Sequence, residues 1–386
     1  MGTSLLAYTA EQIRSYQKEL EIVASLSNLF SNSKTPMIYY RATEDIYCRS
    51  FYATNVSRTD CTADAIFDTT NGVGIKTFLN KTNGSFQKIA EFDRQKPLYD
   101  NLNGLNLIKK VCELRNDRID ATMRTYGLTH MIYHCIARNE DGTIEVFEEK
   151  MQRVYIDGIR DYRAKSNTLI FTDGIENYEF NTSKSTLLKR FISVNPFLTF
   201  KVDILEDPMA ILSQLPQFFK TNQDMASAGR KPSYPSLVIP LYSESKKKGR
   251  FVAKRSGLNQ WNANGRARNQ NEIYIPFPKH LRNQNAGFFP SRYVPWDLKL
   301  PDGKTISMAV CQQDGKALMS NPNKDLGKWI LRVVLKIRPG ELVTYDTLLS
   351  VGIDSVVFRK HPDGTYDCDF IVNNDESRED DHDNQS

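Results

Sequence analysis

Apolar side chains recur at three- and four-residue steps near the start of the chain: Ile13, Tyr16, Leu20, Val23, Leu26 and Phe30. That spacing predicts an amphipathic helix over residues 9–30, with Thr9 as N-cap and Gln12 three residues on. Residues 36–54 interleave aromatics with polar groups and predict strands or irregular hairpins. A strand over Ala63–Asp68, a turn at Thr69–Gly72 and a strand over Val73–Leu79 follow, with Asn71-Gly72 as the turn signal. Helices are predicted from Ser85, as cap, to Arg94 and over residues 104–122. Hairpins are predicted over residues 129–156 and 168–191. Segment 194–220 is apolar but broken by Pro196, Pro208 and Pro216, and the next stretch, to Pro235, has the composition of a linker. Beyond it, SLVIPLYS, EIYIPFP, WDLKLP, TISMAVCQ, ELVTYDTLL and DSVVFRK are short strand-like runs, accompanied by a helical segment at Leu326–Leu335. Many short strands with one or two helices predict a barrel-like β domain. The chain is thus expected to be α+β, with domains at 1–219 and 236–372, a linker at 220–235 and a tail at 373–386.

Charge sharpens this division. Residues 230–360 carry 23 Lys and Arg against 9 Asp and Glu, whereas residues 361–386 carry 1 against 9. The positive field therefore belongs to one segment, and a polyanion is its natural partner. The acidic end, DESREDDHDNQS, has no core-forming pattern and is expected to be disordered. The six cysteines form no CxxC pair, so neither a zinc site nor a disulfide framework is indicated, and a reducing cytoplasm fits. No long uncharged apolar run suggests a membrane span.

The basic segment from Lys254 to Leu331 is also rich in amides. Arg pairs bidentately with guanine, Asn and Gln pair with adenine, and Lys and Arg hold phosphates. Candidate DNA-contacting residues fall in two clusters. The first is Arg255, Asn259, Gln260, Trp261, Asn262, Asn264, Arg266 and Arg268. The second is Gln312, Gln313, Lys316, Ser320, Asn321 and Asn323.

The amino-terminal half offers a different chemistry. Asp64 and Asp68 lie on or just after one predicted strand, Lys76 on the next, and Glu91 on the predicted helix with Gln87 one turn earlier. Carboxylates can hold Mg²⁺ at a phosphodiester, and a lysine beside them can orient the attacking water and offset developing charge. His130 and His134 would share a strand face, but no third ligand stands at a recognisable spacing, and they read as ordinary histidines. There is no His-x-Lys pair, P-loop or GxSxG elbow.

This arrangement resembles the PD-(D/E)xK nuclease core of many restriction endonucleases: an Asp on one strand, an acidic-x-Lys on its neighbour, then a helix. The sequence departs from it at Gly74, which stands where the second acid is expected. Some family members move that acid to the following helix. The resemblance therefore implies Asp64, Lys76 and Glu91 as catalytic residues, Asp64 and Glu91 as Mg²⁺ ligands, and Asp68 and Gln87 as reserves.

Residues 235–360 carry a closer resemblance. NGRARNQNEIYIPFP, FFPSR, LPDGKTISMAVCQQDGKALMSNPNKDLGKWILR and GELVTYDTLLSVGIDSVVFRK resemble the DNA-recognition domain of the NgoFVII/BfiI restriction endonuclease group. That domain is a B3-like pseudobarrel, similar also to the amino-terminal domain of EcoRII. Its two arms grip the major groove, and by position they would run from Arg255 to Arg268 and from Gln312 to Asn323. Relatives often carry a metal-independent, phospholipase-D-like nuclease in front of this domain, and that motif is absent here. The expectation is an α/β restriction-endonuclease-like core followed by a β pseudobarrel, in a Mg²⁺-dependent type II restriction endonuclease acting on double-stranded DNA. A homodimer or DNA-bridged pair and a cognate DNA methyltransferase in the cell are its implied partners. Two rivals remain: a non-catalytic DNA-binding regulator with an amino-terminal oligomerisation domain, and an RNA-binding protein.

Overall fold

In the computed structural model, which describes residues 2–57, 59, 61–215, 234–259 and 269–372, Thr9 caps the first helix as its sequence predicts. Its side chain accepts the Gln12 N–H, and Gln12 reaches back to the Thr9 N–H. The helix, α1 (Ala10–Ser25), buries Tyr16, Leu20 and Ala24 along one stripe. The described chain divides into two compact units. Residues up to 215 form the first, except for short pieces around 59–61 and 120–127, which belong to the second with 234–372.

The segment expected to form strands at 36–54 is instead a helix, α2 (Tyr40–Phe51), preceding β1 (Thr54–Asn55). Its buried residues Thr43, Ile46, Tyr47, Ser50 and Phe51 follow a helical period that aromatic crowding conceals in the sequence. The expected hairpin is present as β2 (Ala65–Phe67) and β3 (Asn71–Leu79), paired antiparallel with Ala65 opposite Val73.

The predicted helix at Ser85–Arg94 is a strand, β4 (Ser85–Glu91), followed by a 3₁₀ stretch at Asp93–Leu98. Ser85 caps no helix; its hydroxyl donates to Leu79 O. The local pattern loses to pairing with the later strand Thr186–Phe191, from Ser85 opposite Phe191 to Glu91 opposite Thr186. The helix that follows is α3 (Gly104–Tyr126), and it leads to β5 (His130–Arg138), which lies parallel to β3 along nine register pairs. Next come β6 (Thr143–Lys150), β7 (Arg160–Lys165), β8 (Thr168–Thr172), β9 (Asn177–Asn181), β10 (Thr186–Phe191), β11 (Leu198–Lys201) and the short α4 (Pro208–Leu212). The expected 168–191 hairpin is the three-stranded meander β8–β9–β10.

Among the described residues the first unit holds two sheets, ordered β1-β2-β3-β5-β6-β11 and β4-β10-β9-β8-β7. Val73, Ile75, Ile132 and Ile136 share a core with Tyr16, Leu20, Ile46 and Phe51 of α1 and α2. Because strand side chains alternate, Gly72, Gly74 and Lys76 point from the other face of β3.

The second unit is a curled sheet ordered β12-β19-β20-β16-β17-β18-β15 among the described residues. Its strands are β12 (Ser236–Pro240), β15 (Ile275–Pro276), β16 (Trp296–Lys299), β17 (Thr305–Cys311), β18 (Ala317–Ser320), β19 (Ser355–Lys360) and β20 (Tyr366–Ile371). A separate ribbon pairs β13 (Ser243–Ser245) with β14 (Gly249–Phe251). Between strands lie α5 (Lys279–Gln284), a helical turn at Asp325–Gly327 running into a π-helical stretch at Lys328–Val334, and α6 (Tyr345–Ser350). The run ELVTYDTLL, expected as a strand, supplies α6, because Thr344 and Thr347 form a reciprocal capping box at its start. Trp296, Leu298, Met308, Phe358 and Tyr366 form the centre of this core, with Phe289 stacked on Trp296 at 5.0 Å.

Candidate carboxylate–lysine site and DNA interface

Asp64 stands one residue before β2. Its N–H donates to Val73 O at 2.8 Å and its Oδ2 accepts the Ile75 N–H at 2.6 Å, so the strand carrying Lys76 also fixes the carboxylate. Burial pushes the Asp64 carboxyl above the usual range, against the opposing pull of the Lys76 ammonium and the Ile75 N–H. Glu44 of α2, only 9 % exposed, joins this field. Burial and then the Asp64 charge push its carboxyl up, while a Ser57 hydrogen bond and the Lys76 charge hold it down. At the root of the β2–β3 hairpin the Asp64 charge thus opposes ionisation of Glu44, while the Lys76 charge favours the ionised form of both acids.

Glu91 does not stand behind Lys76 on a helix. It ends β4, in the other sheet of the unit, and pairs with Lys88 at 3.1 Å. Gln87 lies on the same strand, opposite Lys189. Asp68 is exposed at φ +46°, and its Oδ1 accepts bonds from Thr70 Oγ1 at 2.8 Å and Asn71 Nδ2 at 2.7 Å, which makes it a turn-former. Gly74 has a steric reason. A Cβ there would lie 2.7 Å from Met151 Cε and 3.2 Å from Tyr133 Cδ1, so a larger residue on that face would have to displace the Met151 side chain and crowd the Tyr133 ring. Glu44 is absent from the sequence-based set because a strand reading of residues 36–54 gives it no place beside Asp64. The helical period of the buried α2 residues is the signal that marks it.

His134 is fully buried, its ring bridging Glu148 Oε1 and the Tyr16 hydroxyl, each at 2.9 Å. His130 is exposed and contacts Thr129 Oγ1. Among the described residues no group of three or more His, Cys, Asp or Glu is placed to hold a metal ion.

In the second unit, Arg255 is exposed at the base of the first expected arm. Asn259 is committed to structure: its Nδ2 donates to Ala253 O and Val343 O, and its Oδ1 accepts the Val343 N–H at 2.7 Å. Gln260, Trp261, Asn262, Asn264, Arg266 and Arg268 lie outside the described residues. Where the chain resumes, Arg332 holds it by bonds to Asn271 Oδ1 and Gln270 O. In the second expected arm, Gln313 and Lys316 are exposed and Gln312 is half-buried at φ +66°. Ser320 is buried, donating to Pro322 O at 2.8 Å and accepting the Leu326 N–H at 2.9 Å, which leaves its hydroxyl occupied. Asn321 is exposed and Asn323 half-exposed.

The pairing of Ile275 with Leu318 orders these groups. Antiparallel register carries the 269–272 segment towards Asn321–Asn323 at one end of β18, and Phe277 towards Lys316 at the other. The expected second arm therefore spans a strand, with polar groups at both of its ends.

Residues 237–362 match the NgoFVII C-terminal B3-like DNA-binding domain. The carboxy-terminal unit is thus similar to a B3-like DNA-binding domain. The match covers about a third of the chain and encloses all the described arm residues. No curated protein sequence matches the chain. The match supports DNA as the partner of this unit, in keeping with the excess of Lys and Arg that it carries. No helix among the described residues is long and apolar enough to cross a membrane.

Proposed function

We propose that the protein is a sequence-specific, Mg²⁺-dependent endonuclease of the type II restriction class. On this reading the B3-like domain finds a short duplex target, and the Glu44–Asp64–Lys76 cluster of the first unit cuts. The observation that supports it most is Asp64 held by the Ile75 N–H next to Lys76, with the Lys76 charge acting on both Asp64 and Glu44, in a chain that also matches a restriction-type DNA-binding domain.

The donor set fits Mg²⁺, which is commonly held by one or two carboxylates with substrate phosphate completing the shell. Asp64 and Glu44 would be its protein ligands, in place of Asp64 and Glu91. When bound, Mg²⁺ supplies charge to a phosphate oxygen and acidifies a water. Asp64 is held rigid by β3, so its oxygen stays aimed while DNA enters. Lys76 orients the attacking water and offsets charge that builds on the phosphate. One such site cuts one strand, so two copies, as a homodimer or as a DNA-bridged pair, would make a double-strand break. A cognate methyltransferase would protect the host DNA, and the cytoplasm is the expected compartment.

The test is digestion of unmethylated plasmid and phage DNA with Mg²⁺ and with EDTA. Discrete fragments with Mg²⁺ alone are expected, and Lys76→Ala should abolish them while duplex binding persists. Discrete fragments in EDTA would overturn the metal-dependent reading. The rival reading is a non-catalytic DNA-binding regulator. Specific binding with no cutting in either condition would favour it.

A further inference from the structure

Two adjoining loops of the B3-like domain hold side chains in backbone conformations that L-residues avoid. Tyr293 sits at φ +67°, Gln312 at φ +66° and Asp314 at φ +57°. For a bulky residue such as tyrosine, positive φ is an outlier that survives only where surrounding contacts fix it. Here the fixing contacts are visible. The Tyr293 N–H donates to Val310 O at 2.9 Å, and the Arg292 guanidinium reaches Gln312 O at 3.5 Å. The result turns the Tyr293 ring outward rather than inward: it is 62 % exposed, with Arg292 over it at 5.0 Å. Core packing therefore does not account for this conformation.

An open groove of about 370 Å³ adjoins the loops, lined by Phe277, Arg282, Asn285, Arg292 and Asp314 among others. Arg282 is steadied by donating to Phe277 O, and exposed Lys316 follows in the neighbouring turn. Two guanidiniums thus face a groove that carries a single acid, Asp314.

We propose that Arg282, Arg292 and Tyr293 form a third DNA-contacting surface, adjoining the start of the second arm. The guanidiniums take phosphates of one strand, and the Tyr293 ring packs against the sugar between them. Arg292 also tethers the Gln312 carbonyl, so seating the backbone sets the register of the Gln312–Lys316 turn against the base edges. The proposal rests on the reading of this unit as a duplex-DNA binder.

The experiment uses the full chain without Mg²⁺ and a duplex that the wild type has selected from a random pool. Dissociation constants are measured across a KCl series, for that duplex and a scrambled one. Arg282→Ala/Arg292→Ala should weaken binding at least about ten-fold at fixed salt and flatten the log–log salt slope by about two, close to one for each phosphate no longer held. Discrimination against the scrambled duplex should shrink less than overall affinity. Tyr293→Asn, which tolerates the left-handed backbone, should weaken binding about five-fold with the slope unchanged. Lys304→Ala, at an exposed turn where Lys304 pairs with Asp302, should leave the slope as in wild type. Arg292→Gln alone, at an exposed position, serves if the double variant unfolds, and should flatten the slope by about one. Unchanged slopes in the arginine variants, or an equal loss in Lys304→Ala, would overturn the surface while leaving the domain a DNA binder. A wild type that binds no duplex would overturn both.

Discussion

Asp64 and Ile75 are joined by a 2.6 Å hydrogen bond from the Ile75 N–H to Asp64 Oδ2, so the residue before Lys76 anchors the carboxylate on which Lys76 acts. The Asp64 carboxyl and the Lys76 side chain are therefore positioned by one strand rather than by two separate elements.

Glu44 and Glu91 separate in a single experiment. Glu44→Gln should lower single-turnover plasmid cleavage by about 10²-fold or more, the size expected when a group acting at the reacting phosphate is removed. Glu91→Gln should stay within about two-fold of wild type, since it removes only an exposed pair with Lys88, of a kind that contributes about 0–1 kcal/mol. Impairment confined to Glu91→Gln would restore the sequence-based assignment and remove Glu44 from the site.

Cleavage should also depend on pH with a definite sign. Burial raises the carboxyls of both Asp64 and Glu44, and the Asp64 charge raises Glu44 further, so the protonated, non-ligating forms persist to higher pH than for free carboxylates. Activity is expected to rise with pH across the acidic range, and excess Mg²⁺ should shift the rise to lower pH because metal binding competes with protons. A pH–rate profile at two Mg²⁺ concentrations tests this, and coincident curves would count against metal binding by this pair.

The B3-like unit contains its own pH dependence of stability. Asp369, 6 % exposed, accepts both carboxylate contacts from the Tyr126 hydroxyl at 2.7 Å, yet burial still pushes its carboxyl up to about 6. The folded state thus holds this proton more tightly than the unfolded chain. Its contribution is full below about pH 4 and falls as pH rises to about 6, by at most about 3 kcal/mol. Urea unfolding of Asp369→Asn beside wild type at pH 4 and pH 7 should show a smaller pH difference in the variant.

Asn259 and Gln313 are both amides of the expected arms, and they should fail differently. Asn259→Ala leaves the Val343 N–H and two carbonyls without their partner and should cost about 1–3 kcal/mol of stability, read as a lower urea midpoint. Gln313→Ala, at an exposed turn, should leave stability within about 0.5 kcal/mol and act on duplex affinity instead. A reversed pattern would make Asn259 the reader and Gln313 the support.

Much of this protein is written locally. The capping box of Thr9 and Gln12, the helix expected at 104–122 and the β5–β6 hairpin follow from short-range pattern, and the structure contains them, whereas the β2–β3 turn falls at Asp68–Thr70 and leaves Asn71 and Gly72 paired within β3. The basic, amide-rich stretch likewise announces a DNA partner, because charge and donor chemistry are legible without coordinates. What needed the tertiary structure was partner choice. Residues 85–91 become a strand because β10 offers an edge to pair with, and residues 40–51 become a helix because their buried face meets β3 and α1. Those two reversals move Glu91 away from a helix behind Lys76 and bring Glu44 within the electrostatic reach of Asp64, and no local spacing encodes either. The same limit applies to polar side chains. Asn259 and Ser320 read like base contacts in the sequence, but the backbone groups that occupy them come from residues as far apart as Ala253 and Val343, or from the turn after β18. Residue order alone determined which chemistry was present, and tertiary contacts decided which groups were left free to use it.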